Sequence, residues 1–193
     1  MTNANNILKL TALILTVVFS TSCNNLKLTN EEAKNLITGT LKLPQNFNEN
    51  VTGADVFVWD KAMKEDFIYD PGNCSYGCTL QATEKSKPYL ISDKITGSGG
   101  GYIDYNTLTF KGFEIDFGQV LGIAINKEQG TATIRFSLVS TNITPVGRAL
   151  EKNIDNPRNG ELIYKKFDNG WQLASEQNKS GIDLVREIWW GRD

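Results

Sequence analysis

The strongest constraint on the fold is an alternation of apolar and polar residues late in the chain. Every second residue from Ala132 to Leu138 is apolar, and the residues between them are polar. This is the pattern of a strand with one buried and one solvated face. A longer apolar segment, residues 115–125, precedes it across the polar connection 126–130. The two segments predict an antiparallel hairpin, and two glycines within the longer segment predict that the sheet curls.

A second hairpin is predicted across the turn sequence Asp168-Asn169-Gly170. A three-residue turn with its glycine in the left-handed conformation would pair Phe167 with Trp171. We prefer this register because it brings four apolar side chains to one face of the hairpin. The four side chains are those of Ile163, Phe167, Trp171 and Leu173.

Helix signals stand nearer the ends of the chain. Thr29 and Glu32 match a capping box, and an apolar stripe at helical spacing follows them, so a helix is predicted to start here and to end near residue 41. A short second helix is predicted over 60–69, after the mainly polar connection 45–53. Residues 182–190 are predicted to form a final amphipathic turn whose two tryptophans pack on the body of the protein.

The chain divides into five parts. These are a signal peptide (1–22), a tether (23–30), a helical N-terminal part with short strands (31–96), a glycine-rich connector (97–101) and an antiparallel sheet part (102–193). The connector lacks the Lys-Ser/Thr that ends a phosphate-binding loop, so a flexible link is favoured. The predicted fold class is α+β, with an N-terminal helix or helices and a curved antiparallel sheet.

The N-terminal residues have the layout of a secretory signal. One side-chain cation, Lys9, precedes the apolar run 10–19, and small residues follow that run. At about 1.5 Å per residue, the run reaches about half of the ~30 Å hydrocarbon core, which is too short for a lasting membrane span. The sequence Ser20-Thr21-Ser22-Cys23 resembles the lipobox of bacterial lipoproteins, although that motif usually has Leu in the place of Ser20.

The lipobox resemblance implies that Cys23 becomes the first residue of the mature chain and carries fatty acyl chains such as palmitate. Two or three chains give lasting attachment to a membrane. The protein would then belong to the bacterial cell envelope, either periplasmic or surface-exposed. Cleavage without lipidation and an uncleaved anchor are the alternatives. A formal net charge of -2 without a block of basic residues gives no footprint for nucleic acid or anionic lipid.

The remaining cysteines, Cys74 and Cys78, form an even pair within a segment rich in turn-forming residues. They predict a local disulfide, whose short loop stabilises by roughly 2 kcal/mol. A redox-active dithiol, half of a metal site and free thiols are the alternatives. The chain contains no His, which excludes Ser-His and Cys-His catalytic arrangements and zinc sites that use His. No metal or other cofactor is predicted.

A leading helix, a curved antiparallel sheet and the segments 141–145 and 164–171 together resemble small uncharacterised bacterial lipoproteins. The sheet of those proteins is similar to the cystatin-like or nuclear-transport-factor-like α+β roll. The resemblance implies a cone-shaped sheet around an apolar pocket or a concave face that receives a partner. It carries over no catalytic residue, because such rolls serve many functions.

Two functions are compatible with the sequence. The favoured one is a non-enzymatic binding or interaction module that receives an envelope protein or an apolar ligand. The other is a small hydrolase or isomerase that uses Glu114 and Asp116, which share a strand face, with Asp104 as a more distant third carboxylate. Acidic residues on the exposed side of a strand are usually only solvated. Two carboxylates in one apolar pocket, with pKa values pushed apart, would favour the enzyme.

Overall fold

The computed structural model describes residues 26–53, 56–70, 79–99, 103–151, 153–174 and 179–191. Cys23, Cys74 and Cys78, on which the predicted lipid anchor and disulfide depend, lie outside these ranges. Within them, no helix has the length and apolar character needed to cross a membrane.

An antiparallel sheet of six strands dominates the described residues, in the order β1-β5-β6-β7-β8 with β4 also paired to β5. The sheet curls strongly into a half-barrel. The strands β2 and β3 form a separate pair. The strand bounds are β1 (Gln45–Thr52), β2 (Ile68–Tyr69), β3 (Gln81–Ala82), β4 (Leu90–Gly99), β5 (Ile103–Asn126), β6 (Thr131–Thr141), β7 (Arg158–Phe167) and β8 (Gly170–Leu173). The helices of the same ranges are α1 (Asn30–Leu41), α2 (Val56–Lys64), α3 (Pro145–Leu150) and α4 (Gly181–Trp190).

The 24-residue strand β5 organises the sheet. Its first half pairs with β4 and β1, and its second half pairs with β6, which confirms the first predicted hairpin. The register against β1 skips one residue, because Phe47 pairs with Phe113 whereas the next residue, Asn48, pairs with Lys111. Gly112 is therefore the extra residue of a β-bulge. The bulge allows Phe110 and Phe113, which are three positions apart, both to be fully buried.

Two hydrophobic clusters hold the helices on the sheet. The larger one joins α1 and α4 to β5, β6 and β7, and the smaller one joins α2 and α3 to the first half of β5. In α1 the predicted capping box is present: Thr29 Oγ1 accepts from the backbone N–H of Glu32 at 3.2 Å, and Glu32 Oε2 accepts from the backbone N–H of Thr29 at 2.8 Å. Leu28, just before the helix, is 8% exposed and belongs to the larger cluster.

The fold class is α+β with a curled antiparallel sheet, as predicted, but the helices are not confined to the N-terminal part. The helices α3 and α4 follow sheet strands in the chain, and the sheet dominates. Residues 45–52, within the segment predicted as a connection, form β1. This strand pairs with β5, and its Phe47 and Val51 are buried. Gly97 lies inside β4 and pairs with Tyr105. The glycine tract therefore begins within a hairpin of the sheet.

The second hairpin is present, but its predicted register is wrong. Phe167 pairs with Gly170, and Lys166 pairs with Trp171. The inward face is taken instead by Tyr164, which is 1% exposed and whose hydroxyl donates to Thr40 Oγ1 at 2.8 Å. Because the side chains of a strand alternate, burying this tyrosine turns Phe167 outward, where it is 44% exposed.

Candidate functional site

Helix α4 ends in two tryptophans with different surroundings. The hydroxyl of Ser180 caps its first turn by accepting from the backbone N–H of Asp183 at 3.3 Å, and Gly191, which has a φ of 70°, caps the other end of the helix. Trp189 lies on the buried face and is 2% exposed, whereas Trp190 is 43% exposed. The predicted packing of the tail on the body is therefore confirmed for Trp189, while Trp190 stands at the surface.

A cavity of about 380 Å³ lies beside these tryptophans. Its walls come from the end of α4, from the segment that follows α3 and from the first residue of β7. We call it the tryptophan cleft. It is lined by Glu151, Asn153, Arg158, Ile188, Trp189, Trp190 and Gly191.

Two residues that line the tryptophan cleft each carry a buried donor that lacks an acceptor among the described residues. The donors are the indole Nε1 of Trp189 and the Nε of Arg158. The centre of the Arg158 guanidinium lies 5.8 Å from the centroid of a Trp189 ring, so the two groups are neighbours. An unpaired buried donor costs about 1–3 kcal/mol, and in folded proteins such groups are usually satisfied by a partner, a water or a ligand.

The carboxylate of Glu151 has a fixed position in the same cleft. Its Oε2 accepts from the indole Nε1 of Trp190 at 3.2 Å. The Trp190 ring in turn lies edge-on to Phe47 of β1, with ring centroids 5.0 Å apart. The exposed tryptophan is thus held between the sheet and the segment that follows α3.

A second carboxylate, Glu49, lies close to Glu151. Its pKa is raised from the ordinary value of 4.5 to about 7, chiefly by burial and also by the negative charge of Glu151, while the positive charge of Lys61 opposes the rise. The Lys61 ammonium itself donates to the backbone oxygen of Leu150 at 3.1 Å. Glu49 also packs tightly against β5, since a Cβ added to Gly112 would lie 3.1 Å from its Cγ. Its side chain is therefore a carboxylic acid poised to change charge near neutral pH.

The carboxylates chosen from the sequence lie elsewhere. Glu114 and Asp116 share a face of β5, as predicted, and this face is opposite to that of the buried Ile115. Glu114 accepts from the Asn142 side-chain amide at 2.6 Å, and Asp116 accepts from the backbone N–H of Phe117 at 2.7 Å. Neither lines the tryptophan cleft or the two further cavities described below.

Sequence reasoning missed Glu49, Glu151 and Arg158. For Glu49 a signal was present, because it stands midway between Phe47 and Val51, at the spacing that places all three side chains on one face of a strand. For Arg158 and Glu151 the sequence offers no comparable signal, since the tertiary packing of α4 brings Trp189 and Trp190 to them.

Two other cavities are less specific. One, of about 380 Å³, contains Arg135 and Glu161, which are cross-strand partners on β6 and β7. Opposite charges placed directly across two strands attract each other. The other, of about 300 Å³, lies where α4 begins and contains Gln45, whose Oε1 is buried without a donor. Neither combines an unpaired cation with a buried unpaired donor.

The part of the chain that the structure describes contains no cluster of three or more His, Cys, Asp or Glu residues able to hold a metal ion. The residues of the tryptophan cleft offer donors and an apolar wall, which suit an organic ligand with a hydrogen-bond acceptor. Comparisons with protein-family models, with curated proteins and with solved structures found no match for this chain.

Proposed function

We propose that this protein is a bacterial cell-envelope lipoprotein, tethered to a membrane by acyl chains on Cys23, and that its body is a non-enzymatic binding module. The tether rests on the sequence Ser20-Thr21-Ser22-Cys23. The binding function rests on one structural observation: Trp189 and Arg158 line one cavity, and each carries a buried donor, Trp189 Nε1 or Arg158 Nε, without an acceptor among the described residues. A ligand that supplies acceptors would recover the free energy that these donors lose on leaving water.

The surroundings of the cleft favour binding over chemistry. A nucleophile needs an activating base within hydrogen-bond reach, and among the described residues that line the cleft none is a Ser, Thr, Cys or Lys. The cleft instead combines two aromatic rings, an aliphatic side chain and a guanidinium, which is a typical composition for a ligand pocket. Its volume lies at the lower end of the range for such pockets, so the ligand is a small molecule or a short part of a larger partner.

The tether is tested by intact mass spectrometry of protein purified from the membranes of the producing bacterium. We expect a chain that begins at Cys23 and carries the mass of a diacylglycerol, with or without one further acyl chain. The Cys23→Ser variant should remain an unprocessed chain without lipid. Recovery of unmodified wild-type protein in the soluble fraction would refute the tether.

The binding function is tested by native mass spectrometry of the full-length protein released gently in detergent. We expect a small bound molecule on the wild type that is lost from Arg158→Gln. The matched control is Arg186→Gln, which removes an exposed arginine of α4 and should keep the molecule. If both variants retain the bound molecule equally, the tryptophan cleft is not its site.

Acid–base catalysis is a second candidate, and the raised pKa of Glu49 favours it. A carboxyl group with a pKa of about 7, beside the charged Glu151, has the property of a general acid or base at neutral pH. The test is turnover of 4-nitrophenyl acetate as a function of pH. An enzyme of this kind would show an inflection near pH 7 that Glu49→Gln abolishes. A rate equal to the buffer blank would exclude an esterase activity.

A further inference from the structure

The unpaired donors of Trp189 and Arg158, two residues that line the tryptophan cleft, indicate what kind of acceptor they could hold. Both lie in one buried region, and one of them belongs to a group that is always charged. Among the described residues, the Arg158 guanidinium has neither an acceptor nor an ion-pair partner, and it lies 5.8 Å from the centroid of a Trp189 ring. A guanidinium matches the geometry of a planar carboxylate, which can accept two parallel hydrogen bonds from it.

The charges around the cleft favour an anion with a single negative charge. Arg158 supplies one positive charge to the wall, while Glu151 supplies a carboxylate already engaged by Trp190. Glu49 lies close enough to Glu151 to feel its charge, and Lys61 is engaged by the backbone oxygen of Leu150. A doubly charged phosphate would meet repulsion from Glu151 without a second free cation in the described wall.

The apolar wall of the cleft indicates what the part of the ligand beyond its anionic group is made of. Ile188 and the two tryptophans line the same cavity as Arg158, and Trp190 is 43% exposed. Flat aromatic faces contribute a large contact area for an apolar or aromatic body. At about 380 Å³, the cavity accommodates a small molecule rather than a long acyl chain.

We propose that the tryptophan cleft binds the carboxylate of a small organic acid with an apolar or aromatic body. Arg158 and the indole N–H of Trp189 donate to the carboxylate, and Ile188 and Trp190 contact the body. This inference rests on the proposed function of the cleft as a binding site and names the class of its ligand. The same chemistry occurs in a free acid and at the carboxyl terminus of a peptide.

The experiment is a titration of the full-length protein in detergent micelles, with the tryptophan indole nitrogens labelled with ¹⁵N. The probes are acetate, butyrate, phenylacetate and indole-3-acetate, with phenylacetamide, phenylethylamine and inorganic phosphate as controls. N-acetylphenylalanine and its C-terminal amide form the peptide arm. We expect phenylacetate to move the Trp189 indole N–H resonance downfield, as a new hydrogen bond to an anion does, and the neutral amide to bind at least about tenfold more weakly.

Two variants locate the carboxylate. Arg158→Gln should weaken phenylacetate binding by about tenfold or more, and Arg158→Lys should fall between that variant and the wild type, because it keeps the charge without the planar pair of donors. Arg186→Gln is the matched control and should bind like the wild type. Tighter binding of N-acetylphenylalanine than of phenylacetate, with no binding of its amide, would assign the ligand to peptide carboxyl termini within the same class.

Other outcomes overturn the inference in distinguishable ways. Equal binding of phenylacetate and phenylacetamide, unaffected by Arg158→Gln, would show a ligand site that does not recognise carboxylates, and the proposed function would stand. Tighter binding of phosphate than of every carboxylate would refute the single-charge argument. If no probe moves the Trp189 or Trp190 indole resonance, the carboxylate inference fails, and the proposed function then depends on the native mass spectrometry alone.

Discussion

Replacing Glu49 by Gln should remove a pH dependence from the stability of the fold. The folded protein holds the Glu49 proton until about pH 7, whereas an unfolded chain releases it near pH 4.5. Between these values the folded state binds more protons than the unfolded state, so the free energy of unfolding falls as the pH rises. Each pH unit between 4.5 and about 7 lowers the free energy of unfolding by about 1.4 kcal/mol. The protein with ionised Glu49 is therefore about 3 kcal/mol less stable than the protein with protonated Glu49.

Glutamine keeps the shape of the protonated side chain without its titration. We therefore expect Glu49→Gln and the wild type to have similar stability near pH 4.5. The variant should become progressively more stable than the wild type, by up to about 3 kcal/mol at pH 8. The effect should be that large because Glu49 is partly buried and lies near the negative charge of Glu151.

The assay is urea unfolding followed by tryptophan fluorescence at half-unit steps from pH 4.5 to 8. Glu128→Gln, which changes an exposed carboxylate in the β5–β6 turn, is the control and should follow the wild-type curve. Parallel curves for the wild type and Glu49→Gln over this whole range would refute the reasoning. They would mean that Glu49 ionises in the folded state as easily as it does in water.

Four further substitutions test the packing, the cap of α1 and the burial of Tyr164. Gly147→Ala should destabilise the fold by about 1–3 kcal/mol in thermal unfolding, because its Cβ would lie 2.5 Å from the backbone oxygen of Gly112. Its control, Gly39→Ala, places a Cβ in open space and should stabilise the fold by about 0.5–1 kcal/mol. Equal effects of the two substitutions would contradict the close approach of α3 to β5. Thr29→Ala should cost about 1 kcal/mol in urea unfolding by removing the capping box, and no loss would show that the cap is not formed. Burial raises the pKa of Tyr164 to about 12, so one tyrosinate should appear only near pH 12 in an ultraviolet titration and should be missing from Tyr164→Phe.

Strong local signals predicted the centre of this fold. The hairpin of β5 and β6 follows from an alternation that holds over four buried side chains, and α1 follows from the pairing of Thr29 with Glu32. Both signals lie within a few residues of the structure that they specify. Local chemistry is sufficient where the burial of one face and the satisfaction of one helix end decide the conformation.

Long-range packing decided the remaining elements. The segment that forms β1 has only two buried apolar residues, Phe47 and Val51. It forms a strand because its backbone pairs with the edge of β5. The register of the second hairpin depends on Tyr164, whose hydroxyl bonds to α1 more than 120 residues earlier. The turn sequence itself therefore could not have predicted the contact of Tyr164 with α1.

The candidate site was less accessible to sequence reasoning than the fold. Arg158 and Trp189 come from β7 and α4, and they meet only when α4 has docked on the sheet. The carboxylates predicted from the sequence, Glu114 and Asp116, were chosen because they share a strand face. Any two residues that are two positions apart in a strand do so. Proximity to a second element, as for Glu49 and Glu151, is what perturbs a carboxyl group.

The burial of Leu28 has a consequence for the working position of the protein. Leu28 lies five positions after Cys23, and an extended chain covers at most about 3.6 Å per residue, so Leu28 would lie within about 18 Å of a lipidated Cys23. So short a tether would keep the domain just above the headgroups. Any acid that it captures would then be taken from, or handed to, the layer of solution next to the bilayer.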